Sequence, residues 1–260
     1  MSYRDTGTGY KGITYGAGAM ILLGMFFVLR LCSTVASLAP DNSPAGVEKD
    51  MLTNGDTAPL FQTIKRTYPD EFDTLKKDAS AHATAGASKT EMMTLVRDDV
   101  MQALKRHRRD MLQAPHAAFA AYRTAEIAFV DALHKTDTRL CANYVAQGSV
   151  EVDSGQSFPR KESLDFQRRT WEGYAAGRDE PAHRVIRKPA PAEVRALQSA
   201  MAANGLSQQQ MGSFFTAGAM QRATTDDQCW IGLGFMRAIN DLPGDRADAI
   251  YAYVAQQSPE

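Results

Sequence analysis

Among 260 residues, the side chains able to do chemistry are few and scattered. The five histidines, His82, His107, His116, His134 and His183, and the three cysteines, Cys32, Cys141 and Cys229, contain no His-x3-His, HExxH or Cys-x2-Cys spacing. A metal centre needs ligands brought within bonding distance, and local spacing is the usual means. No GxSxG elbow, phosphate-binding Walker loop or GxGxxG turn occurs either, so acyl transfer and nucleotide use lack their sequence marks. Spacing therefore assigns no catalytic, cofactor-binding or metal-binding residue. Glu126 is the one carboxylate in an unusual setting, between Tyr122 and Phe129-Val130 on an otherwise apolar run. Burial there would raise its pKa and suit it to proton transfer. The plainer expectation is that Glu126 lies at the edge of the apolar stripe and pairs with Arg123. A hydrolase using Glu126 or Glu172 is accordingly the least favoured functional class.

The cysteines carry more information. Cys141 and Cys229 are the only two beyond Cys32, and each falls on the apolar side of an expected helix. Paired, they would close a loop of 88 residues, a staple worth roughly 4 to 5 kcal/mol in the chain-entropy treatment. Such a bond persists in an oxidising compartment and is rare in the cytosol.

Two basic stretches are candidates for contact with an anionic partner: Lys105, Arg106, Arg108 and Arg109 in KRHRR, and Arg184, Arg187 and Lys188 in HRVIRK. The first sits where a helix should end, so its cations also complement exposed carbonyls. With 29 basic and 30 acidic residues the chain has a formal charge of −1, which supplies no net field to recruit nucleic acid. Contacts must come from local surface.

The elements that position these residues read as helices. Ser88 with Glu91 forms a capping box, followed by Met92, Val96, Val100, Ala103, Leu104 and Met111 at helical spacing. Pro115 opens a second helix carrying Phe119, Tyr122, Phe129, Val130 and Leu133, and a third is expected from about Asp137 to Val145. GSVEVDSGQSFP then breaks the pattern as a loop, before a helix with Leu164, Trp171 and Tyr174. Four short helices follow, started by Pro191, by Ser207 with Gln210, by Thr225 with Gln228, and after Pro243. Sustained alternation of apolar and polar residues is nearly absent, so the expected fold is all-α, an irregular multi-helix bundle.

One stretch is not part of that bundle. Gly12 to Leu29 holds eighteen residues without a formal charge, roughly 27 Å as a helix and close to the hydrocarbon thickness of a bilayer. Arg30 can snorkel while Leu31, Val35 and Leu38 extend the span. The expectation is a short cytoplasmic N-terminus at 1–11, a transmembrane anchor helix at 12–38, a Pro/Gly/Asn-rich tether at 39–58 and a helical extracytoplasmic domain at 59–260. A cleaved signal ending at Ala36 is the competing reading. Gly12, Gly16 and Gly24 share one helical stripe, where a second span could pack closely. Arg4 and Lys11 precede the span and acidic residues follow it, which orients the bulk of the chain outward, into the periplasm of a bacterial inner membrane.

The functional expectation is therefore an anchored protein whose partners are the bilayer and another protein or a second copy of itself, with no cofactor, acting as a scaffold or component of an envelope assembly. The alternative is an exported sensor whose facing helices leave a pocket lined by Met, Phe and Trp for a small apolar ligand.

Overall fold

The computed structural model describes residues 41–257 except 54, 149, 151, 153, 154 and 217. The expected transmembrane helix, with Gly12, Gly16 and Gly24, lies outside the described residues. No helix among the described residues is long and apolar enough to cross a membrane.

Eleven α-helices make up the described residues: α1 (Pro44–Thr53), α2 (Ala58–Thr67), α3 (Pro69–Thr84), α4 (Lys89–Leu112), α5 (His116–Thr136), α6 (Thr138–Gln147), α7 (Arg160–Asp179), α8 (Pro191–Ala203), α9 (Gln208–Phe215), α10 (Thr225–Asn240) and α11 (Gly244–Gln257). No strand occurs among the described residues, so the all-α expectation holds, and Val150 is a buried loop residue. Helix α5 is the centre of the packing: α7 lies along one side of it, α6 and α10 along another, and α11 beside its first half. Helix α4 packs on α7, while α1, α2 and α3 form a layer over α7 and α4; α8 and α9 cover α10. One continuous apolar core runs from Val47 in α1 to Ala255 in α11.

The capping chemistry largely follows the sequence. Ser88 Oγ accepts from the Glu91 amide at 3.3 Å while Glu91 returns a bond to the Ser88 amide at 2.7 Å. Ser207 and Gln210 do the same at 3.2 and 3.0 Å. The cap of α10 sits one residue earlier than expected, with Thr224 Oγ1 accepting from the Asp227 amide at 3.1 Å. Asp227 then places a negative charge in the first turn, where the helix dipole favours it.

The tether expectation needs correction. Residues 44–53, read as part of a 39–58 linker, form α1, and the punctuating residues are its start signals: Asp41 Oδ1 accepts from the Ser43 amide at 2.9 Å, and Ser43 Oγ from the Gly46 amide at 3.2 Å. Val47 and Met51 are buried against α2 and α3. Glu48 fixes the same layer by pairing with Lys65 at 2.6 Å and Lys76 at 2.8 Å. The folded domain thus begins before residue 59.

Cys141 in α6 and Cys229 in α10 form a disulfide, with Cα atoms 5.3 Å apart and both residues buried. Close packing elsewhere depends on missing side chains. At Gly177 of α7 a Cβ would overlap the main chain of Asp110 and Ala114, where α4 turns into α5. A Gly177→Ala variant is expected to lose about 1–3 kcal/mol in urea unfolding despite alanine's better helix propensity, because backbone cannot rotate away as a side chain can.

Candidate functional site

A polar seam joins α5 to α11 through the middle of an apolar core. On α5, His116, Arg123 and Glu126 lie at near-helical spacing on the face toward α11, which presents Gly244, Asp248 and Tyr251 in the same direction of travel. The seam has two parts.

At the inner end Glu126 is 1% exposed. It does not pair with Arg123, as the simpler reading of the sequence expected. Its Oε1 accepts from the Tyr144 hydroxyl at 2.7 Å and its Oε2 from the Tyr251 hydroxyl at 2.6 Å. The Tyr122 hydroxyl stands 3.1 Å from that of Tyr251, so Tyr251, with a single proton, donates to Glu126 while accepting from Tyr122. Phe129 stacks on Phe166 at 5.7 Å and meets Tyr144 edge-on at 5.4 Å, closing an aromatic cage. Burial raises the Glu126 pKa from 4.5 to about 7 against the lowering effect of the two tyrosine bonds. Burial likewise lifts the Tyr122, Tyr144 and Tyr251 hydroxyls well above 10, and the neighbouring carboxylate adds to that.

At the outer end two arginines and a histidine meet Asp248. Arg123 Nη1 reaches Oδ1 at 2.5 Å; Arg184 Nη2 and His116 Nδ1 reach Oδ2 at 2.9 and 3.1 Å. Arg123 and Asp248 are both 3% exposed at the side chain, so this is an ion pair within the interior. The guanidinium groups of Arg123 and Arg184 lie 5.1 and 4.8 Å from the Phe119 ring centre, which gives them a favourable π face as well.

Chemically, the seam gathers a buried carboxylate, the tyrosine hydroxyls around it and an interior ion pair. A groove of about 590 Å³ between α2, α5 and α7 reaches Ala125 but not Glu126. Its floor is Pro59, Leu60, Ala125, Ala128 and Leu164 and its rim is charged, so it is not the Met-, Phe- and Trp-lined pocket that an apolar-ligand sensor would need. Among the described residues no group of three or more His, Cys, Asp or Glu side chains could hold a metal ion. Glu172, the other acid considered from sequence, is engaged by Arg168 at 3.0 Å and Arg169 at 2.9 Å on the surface of α7.

The basic stretches are spent mostly within the fold. Arg106 pairs with Glu71, Arg108 donates to the carbonyl of Ala255, Arg184 is part of the seam, and Arg187 pairs with Glu193 at 2.8 Å. Lys105, Arg109 and Lys188 are exposed. Asp248 was not singled out from sequence; its partners are 64 to 132 residues away, and an aspartate in GDRADAIY gives no local sign of burial.

Because the folded-state pKa of Glu126 lies above that of an unfolded carboxylate, the native state binds the proton more tightly. The stability this group contributes is complete below about pH 4.5 and is lost as pH rises through about 7, a span worth about 3 kcal/mol. Glu126→Gln keeps the shape and removes the ionisation. Urea midpoints measured at pH 5 and pH 7.5 should show wild type losing more stability than the variant over that interval.

No family model, no curated protein and no solved structure matches the chain.

Proposed function

We propose that the protein is a membrane-tethered helical domain on the extracytoplasmic side, which works through protein contacts as a component of a cell-envelope assembly. The observation that carries this reading is the Cys141–Cys229 bridge buried in the core, a bond that persists where the surroundings are oxidising. The uncharged run from Gly12 to Leu29 is of a length to hold such a domain at a bilayer. The interior polar groups Glu126, Asp248 and Arg123 are engaged by side chains of neighbouring helices, a use that fits a structural role for them.

Extraction in mild detergent, followed by cross-linking and native mass measurement, tests the proposal. The expected result is a species larger than one chain, containing a second copy or another envelope protein. A strictly monomeric chain that cross-links to nothing would argue against it.

A further inference from the structure

Between α7 and α8 the chain crosses the surface as a strap without regular structure, residues 181–190. It is nailed down near its start, where the Ala182 amide donates to the Gln113 carbonyl at 2.7 Å and Arg184 follows. Arg184 gives its amide to Gln113 Oε1 at 2.7 Å and accepts from Gln113 Nε2 at 3.1 Å, while its guanidinium donates to the carbonyls of Leu112 at 2.6 Å and Ala114 at 3.1 Å and to Asp248. Beyond that anchor exposure alternates: Val185 out, Ile186 half-buried, Arg187 out, the period of an extended chain. Val185 is 78% exposed, the only large apolar side chain so bared among the described residues. No main-chain hydrogen bond within the described residues is made by the amides of Val185 to Lys188.

An exposed, extended segment whose amides make no main-chain bond is the form in which an endopeptidase cleft takes its substrate, by adding the segment as a strand. We propose that the strap is a proteolytic modification site, hydrolysed at the Arg187–Lys188 peptide bond by an arginine-specific endopeptidase. Water adds across the amide, leaving a carboxylate on Arg187 and an ammonium group on Lys188.

The choice of bond follows from the neighbours. Arg184 cannot enter a specificity pocket, because all its donors named above are in use. Lys188 precedes Pro189, whose tertiary amide has no N–H and resists attack. Arg178 and Arg195 lie inside helices α7 and α8, which would have to unwind. Arg187 is held by a two-pronged pair with Glu193 and by a 3.2 Å bond from Nη1 to the Lys188 carbonyl, both on a side chain 52% exposed, so water or an enzyme pocket can replace them at modest cost.

The fold also retains the product. Residue 187 lies between Cys141 and Cys229, so both pieces stay covalently joined, and Arg184 keeps the new C-terminal end against α4 and α11. The proposal uses the disulfide but not the membrane tether, so its failure and that of the functional reading are separable.

Brief treatment of the oxidised full chain with a low ratio of trypsin tests it by intact mass. Within residues 41–257 one first cut is expected: it adds one water to the non-reduced mass, and reductant then separates a piece ending at Arg187 from a piece beginning at Lys188. Arg187→Gln should slow that first cut at least tenfold, and Glu193→Gln, which frees the arginine, should be cut at least as fast as wild type. A first cut elsewhere within residues 41–257, no cut there on the time scale on which the unfolded chain is digested, or unchanged cutting of the Arg187 variant would each overturn the proposal.

Discussion

Asp248→Ala is expected to cost about 3–5 kcal/mol, the largest loss from any single change in the seam. The variant deletes one carboxylate but strands Arg123, whose side chain is 3% exposed and loses its only acceptor on α11. Arg184 suffers less, since the carbonyls of Leu112 and Ala114 still receive it, and His116 is half in water, 54% exposed at the side chain, and can hydrate. The loss therefore comes from a buried charge left without a counterion rather than from the worth of the pair itself. Removing both members by Arg123→Met with Asp248→Leu should recover most of it, because an apolar pair of similar volume has no desolvation cost. Urea unfolding of the single and double variants separates the two effects. A single variant as stable as wild type would mean that water reaches Arg123.

Opening the Cys141–Cys229 bond is the second large effect. The bridge closes a separation of 88 residues, for which the chain-entropy treatment gives roughly 4 to 5 kcal/mol of unfolded-state restriction. Reduction leaves both sulfurs in place and creates no cavity, so it is the cleaner test. The expected result is a urea midpoint that falls by about a third or more of its oxidised value, against a typical total of about 5–15 kcal/mol. The Cys141→Ala/Cys229→Ala variant should fall further, since both positions are in the core and methyl groups fill them incompletely. Equal midpoints with and without reductant would show that the bond constrains little.

Much of the helical order was legible because capping is local. Ser88 with Glu91 and Ser207 with Gln210 announce α4 and α9 within four residues, and Pro115, Asp137 and Pro191 mark α5, α6 and α8 in the same way. The first three helices were not legible. Asp41, Ser43 and Pro44 are the residues that make a linker and equally the residues that start a helix, and only the burial of Val47 and Met51 against later helices decides between the two. Thr224 rather than Thr225 caps α10, because either hydroxyl could accept and the choice falls with Asp227.

The seam was legible in part. Glu126 stood out as an acid in an apolar run, but sequence supplied the wrong partner: Arg123, three residues away, turns to Asp248, while Glu126 takes hydroxyls from residues 18 and 125 positions away. Tertiary partners carry no local mark. The cysteine pair was the exception, since two cysteines beyond the apolar run leave a single intramolecular bridge between them once Cys32 is set aside.

The most direct test of the account is thiol trapping in intact cells followed by fractionation. With a membrane-permeant alkylating reagent added before lysis, the protein should be found with the membranes and its distal cysteines, Cys141 and Cys229, should take up label only after reductant. Recovery in the soluble cytoplasmic fraction, with both of those sulfurs labelled at once, would contradict it.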